Sequence, residues 1–138
     1  MKRLMLAAVL ALAAASPAMA DFDHGMVAYK MGDHDRAWTE FHADAVTGHA
    51  TAQFNIGVMY YRGEGVERDL VRAYAWIELA TQQRRDEELI EAQEVLSVML
   101  TPDQIADGMA MAGRLARDHD LYFRPPREDD AASRIAGY

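Results

Sequence analysis

Five histidines, His24, His34, His42, His49 and His119, are the first places to look for chemistry in this 138-residue chain. Two of them sit between aspartates, in Asp33-His34-Asp35 and Asp118-His119-Asp120, and both residue types ligate metals. Sequence neighbours do not share a helix face, however, and no HExxH or comparable spacing is present. We therefore expect solvated histidines at helix ends and turns, and no metal site. Ser97 and Ser133 are the only serines beyond Ser16, and neither lies in a GxSxG elbow. Glu87, Glu88, Glu91 and Glu94 gather near a helix start, where the dipole favours carboxylates, and read as a solvated face. The chain has no cysteine, which removes thiol catalysis, CxxC redox chemistry and cysteine-ligated zinc. No catalytic residue and no cofactor is expected. A small hydrolase would require stacking to bring histidines such as His42 or His49 to carboxylates remote in sequence.

The stretch YYRGEGVERD, residues 60–69, raises the question of a phosphate cradle. Such a loop calls for basic residues and a preceding strand, and a dinucleotide fingerprint needs a third glycine. Here Glu64, Glu67 and Asp69 crowd the loop, and the residues before it have helical spacing. The glycines turn a corner instead. Gly63 ends a helix in the left-handed conformation, Gly65 permits a second reversal, Val66 tucks back against the helices, and Asp69 caps the next one.

The elements that hold these residues are helices throughout. Ala37, Trp38, Phe41 and Ala45 mark one helix, and Ala52, Ile56, Met59 and Tyr60 another. Ala73, Trp76, Ile77 and Ala80 make a third stripe; Leu89, Ala92, Gln93, Leu96, Met99 and Leu100 a fourth; Ile105, Met109, Ala112, Leu115 and Ala116 a fifth. Residues 22–31 form a weaker sixth candidate. Gly108 and Gly113 interrupt the last stripe. Thr101-Pro102-Asp103-Gln104 spells a capping box with proline at the first helical position. Gly32 and Gly48 follow helical stretches, and Asp33 stands where a helix needs an N-cap acceptor. The helices also recur: Ala37, Phe41 and Ala45 map onto Ala73, Ile77 and Thr81 at an offset of 36 residues. A two-helix unit of that period predicts an all-α, right-handed solenoid of about three stacked helical hairpins.

Residues 1–20 have the pattern of a secretory signal peptide: Lys2 and Arg3, an apolar run at 4–15, then small residues at Ala18 and Ala20. Cleavage is expected between Ala20 and Asp21. An uncleaved anchor is the alternative, but the run has 12 residues where a spanning helix needs about 20. No cysteine follows to carry a lipid. The expected product is periplasmic or secreted, with a repeat domain at 21–120 and a tail at 121–138. In that tail Pro125-Pro126 stops any helix, and a mobile segment is expected from about Leu121, the alternative being that Tyr122 and Phe123 pin its start onto the last hairpin. Losing Lys2 and Arg3 from 14 basic residues against 22 acidic ones leaves a net charge of −10, with Lys30 the sole lysine. Such a surface disfavours nucleic acid and anionic lipid, so neither nucleic-acid binding nor membrane insertion of the cleaved protein is expected.

The segment AQFNIGVMYYRGEGVERDLVRAYAWIELA, residues 52–80, resembles a Sel1-like repeat. The places of the family pattern are held by Ala52, Ile56-Gly57, Tyr60, Gly63-Glu64-Gly65-Val66, Asp69, Ala73, Trp76 and Ala80. Residues 23–46 resemble the shorter tetratricopeptide-like repeat that precedes such a unit, and residues 86–118 the helix pair that closes it. The resemblance implies an exported, non-catalytic adaptor or scaffold whose concave face, lined by the first helix of each hairpin, holds a protein or peptide partner. Tyr29, Asn55 and Met59 are then the partner-binding candidates: asparagine can pair with a peptide backbone, and tyrosine and methionine offer adaptable contact. A periplasmic regulator of an envelope signalling or exopolysaccharide system is a narrower version. The β-lactam-directed branch of the family is cysteine-rich, so that activity is not implied for a chain without cysteine.

Overall fold

A computed structural model describes residues 17–121, with side chains from His24 onward. The apolar run at 4–15, Ser133 and the tail from Tyr122 lie outside the described residues. Six helices follow one another: α1 (Pro17–Lys30), α2 (His34–Ala45), α3 (Ala50–Arg62), α4 (Leu70–Gln83), α5 (Glu87–Met99) and α6 (Pro102–Asp118). Among the described residues there is no strand. The weakest candidate is a full helix, and it starts earlier than its apolar spacing suggests, at Pro17.

Local chemistry sets the boundaries. Asp33, Asp69 and Asp86 each accept from the backbone N–H three residues on, at 3.2, 2.9 and 3.1 Å. Thr101 and Gln104 complete a reciprocal capping box at 3.2 and 2.9 Å, with Pro102 just inside it. Each such cap is worth about 1 kcal/mol. Gly63 stops α3 at φ 70°, its N–H donating to the Met59 carbonyl at 2.8 Å. The loop then closes on itself, with the Asp69 N–H donating to the Tyr60 carbonyl at 3.0 Å.

The helices stack as an all-α solenoid in which α3 lies between α1 and α5, and α4 shares its core with α2 and α6. Pairs α1–α2 and α3–α4 are close hairpins. The third pair departs from that pattern: joined only by Leu100 and Thr101, α5 and α6 splay apart and both pack on α4. The repeat-related positions do equivalent work, since Ala37, Phe41 and Ala45, and Ala73, Ile77 and Thr81, are all buried. Buried Gln53 ties the hairpins together, donating to the Ala45 carbonyl at 3.1 Å and accepting from Gln83 at 2.8 Å.

Two expectations are corrected. Gly108 and Gly113 do not interrupt α6, which is continuous, and both are buried. A Cβ on Gly108 would sit 2.8 Å from Tyr74 Cδ1 and 3.3 Å from the Val71 carbonyl oxygen, so this glycine sets how closely α6 approaches α4. Met99 was placed on the core stripe of α5 but is 43% exposed, because the divergence of α6 leaves that end of α5 uncovered.

Candidate interaction face

The outward side of α3 is decided by what the other side must bury. Ala52, Gln53, Ile56, Gly57 and Met59 all face inward. A Cβ on Gly57 would lie 2.6 Å from Ile77 Cγ1, so α3 and α4 approach almost backbone to side chain. Among the residues left partly or fully exposed are Phe54, Asn55, Val58, Tyr61 and Arg62. These line two adjoining concavities. One, of about 220 Å³, lies towards α1 and includes Met26, Tyr29, Phe54, Asn55 and Val58. The other, of about 250 Å³, lies towards α5 and includes Val58, Tyr61, Glu91, Ala92 and Val95. Val58, Arg62 and Glu88 line both, which makes one groove along α3.

Of the three partner-binding candidates, the structure brings Tyr29 and Asn55 together in this groove and separates Met59 from them. Asn55 is half-buried, with its amide nitrogen 3.8 Å from the Met26 sulfur. Tyr29 is held on both sides: its hydroxyl donates to Glu64 Oε2 at 2.6 Å and accepts from Arg62 Nη1 at 2.7 Å. Burial, and then the hydrogen bond to the Glu64 carboxylate, raises its pKa above the ordinary phenol value, so it stays neutral. The glycine loop is thereby fastened to α1 through Glu64, and it also lies on α2, where a Cβ on Gly65 would meet the His34 carbonyl oxygen at 2.6 Å.

Met59 is a correction. It is fully buried in the core cluster beside Ile56, Ala75 and Leu79 and cannot touch a partner. Four residues beyond Asn55, it looked like a neighbour on one stripe, but the buried face of α3 is wide enough to include it. Val58 and Arg62, three and seven residues beyond Asn55, are the groove residues that the same spacing could have nominated. The repeat residues have structural places: Ala73, Trp76 and Ala80 are buried on α4, and half-buried Val66 packs on the core.

The reactive-looking residues are scattered. Among the described residues no group of three His, Asp or Glu side chains could hold a metal ion. Ser97 donates back to the Gln93 carbonyl of its own helix at 2.8 Å. Glu87, Glu88, Glu91 and Glu94 are exposed on α5, and Glu88 and Glu91 give the groove an acidic rim on that side. His42 is the exception, stacked on Trp38 with ring centroids 4.5 Å apart and meeting Trp76 edge-on at 5.8 Å. Burial, and then the nearby His119, lowers its pKa below the ordinary histidine value. Among the described residues no helix is long and apolar enough to cross a membrane.

A layered stack of helical pairs with a groove along one face defines an α-solenoid. Residues 50–84 match the family model described as the Sel1 repeat, so the chain carries a Sel1 repeat at its centre. The chain is also similar to the crystal structure of a protective antigen present in uropathogenic Escherichia coli strains and displaying an SLR fold. The TM-score is 0.66 at 26% identity, over 86% of this chain and 24% of the other, so the match spans about a quarter of that protein's length. No curated protein matches the sequence. Repeats of this kind generally mediate protein–protein contact and typically form non-catalytic scaffolds.

Proposed function

We propose that this protein is an exported, non-catalytic adaptor that holds a protein or peptide partner in the groove along α3. The observation that carries the reading is the groove itself. Its two adjoining concavities share Val58 and Arg62, and together they combine an apolar floor with one cation and the carboxylates of Glu88 and Glu91. Met26, Val58 and Val95 offer adaptable apolar contact, and Asn55 can pair with a peptide backbone. With 22 acidic residues in the chain and an acidic rim on α5, the fitting partner is a segment that sets apolar side chains beside a basic one. The basic, apolar and small-residue pattern of residues 1–20 supports export and cleavage after Ala20. Residues 21–120 then form the repeat domain, in the periplasm or outside the cell, and 121–138 a tail.

Affinity purification of the tagged protein after brief cross-linking in its own cells tests this, with Val58→Asp and Asn55→Ala run beside the wild type. We expect one reproducible envelope protein, lost with Val58→Asp and weakened with Asn55→Ala, while both variants keep the wild-type circular dichroism spectrum. Retention of the same protein by folded Val58→Asp would take the binding site away from the groove. Unchanged retention by Asn55→Ala would remove that residue from it.

A further inference from the structure

A second concavity, of about 360 Å³, opens between α2, α4 and α6, away from the groove described above. Its aromatic wall is built from Trp38, His42 and Trp76, the first two stacked with their planes 16° apart and the third edge-on at 74°. These are the only two tryptophans in the chain. Two guanidinium groups join them, from Arg72 at the start of α4 and Arg114 on α6. Arg72 lies over the Tyr60 ring at 5.9 Å and pairs loosely with Asp69 at 3.6 Å. Arg114 makes no ion pair among the described residues, not even with Asp118 one turn further along α6 and also on the cavity wall. In a chain of net charge −8, the cavity wall carries two cations and a single carboxylate, that of Asp118.

We propose that this cavity binds a small aromatic carboxylate: the ring packs on the Trp38–His42 pair beside the edge of Trp76, and the carboxylate takes charge-assisted hydrogen bonds from Arg114 and Arg72. The volume suits a ligand of one or two rings, near the lower end of the range for small-molecule sites. Guanidinium groups are the side chains best matched to a carboxylate, and flat rings stack on indole and imidazole faces. Neutral His42 keeps the wall apolar.

Both tryptophans line the cavity, so their fluorescence reports binding there, and the Arg114 variant ties the signal to this site. Titrations with phenylacetate, and with phenylacetamide as its uncharged counterpart, separate recognition of the anion from recognition of the ring. Phenylacetate should give a saturable change in tryptophan emission below millimolar concentration, at least about tenfold tighter than the amide. Arg114→Gln, a change at an exposed position, should weaken phenylacetate by about tenfold or more and leave the amide unaffected. Asn55→Ala, in the other groove, should change neither. The proposal is overturned by the absence of a saturable signal with phenylacetate, by equal affinity for the amide, or by an unchanged affinity in Arg114→Gln.

Discussion

Helices α4 and α5 are sequence neighbours of 14 and 13 residues with similar shares of apolar side chains, yet they use them in opposite ways. Nine consecutive residues of α4, Ala73 to Thr81, are buried, because α3, α5 and α6 all pack around it. On α5 only Leu89 and Leu96 are buried, while Ile90, Val95, Val98 and Met99 stay exposed, Val98 by 83%. A helix buried all round is structural by necessity. Exposed apolar side chains grouped along one helix mark a surface that another molecule can cover. The comparison gives α4 a structural role, and under the proposed function it leaves contact to the face where Val95 of α5 adjoins α3. It also puts the repeat's glycines in the stability column.

The hardest way to break this division is in α4. Leu79→Ala, at a fully buried position, should cost about 2–5 kcal/mol in equilibrium urea unfolding. Gly65→Ala should come next, at about 1–3 kcal/mol by the same measurement. It combines φ 71° with a Cβ only 2.6 Å from the His34 carbonyl oxygen, and neither can relax cheaply. Thr101→Ala, removing the cap that starts α6, should cost about 1 kcal/mol.

A smaller effect should appear with pH. The folded-state pKa of His42 lies below its unfolded value, so the unfolded chain binds the extra proton first. The contribution is complete above about pH 6.5 and is lost as the pH falls from there through the folded pKa. His42→Gln should flatten that part of the urea-midpoint profile between neutral and mildly acidic pH. On α5, Val98→Ser should change stability by no more than about 0.5 kcal/mol, since the side chain is already in water. A cost as large as that of Leu79→Ala would erase the distinction between the two helices.

Much of this fold was legible in the sequence because its signals are local. Asp33, Asp69 and the Thr101–Gln104 box act within one turn, and Gly63 and Gly65 act through their own backbone angles. The core stripe of α4 was equally plain. What was hidden depends on neighbours far away in sequence. Whether Met59 or Val58 faces outward turns on how much of α3 is covered by α4, and Gly57 reveals that closeness only once Ile77 is seen against it. Gly108 looks like a helix breaker until Tyr74 fills the space beside it. The splaying of α5 from α6 left no trace in the spacing, so the exposure of Met99 could not be read. In the groove, Tyr29 and Asn55 were within reach of sequence reasoning, whereas Arg62 and Glu88 line the same concavities only because α3 and α5 both pack on α4.

The central claim, that a partner sits on the face of α3 and α5, is tested most directly by photo-cross-linking in the cell. A photoreactive residue would be placed singly at Asn55 and Val95 on that face, and at exposed Thr39 and Asp107 on α2 and α6. The expected result is one protein captured from Asn55 and Val95 and absent from Thr39 and Asp107. Capture of the same protein only from Thr39 and Asp107, or equally from all four positions, would contradict the account.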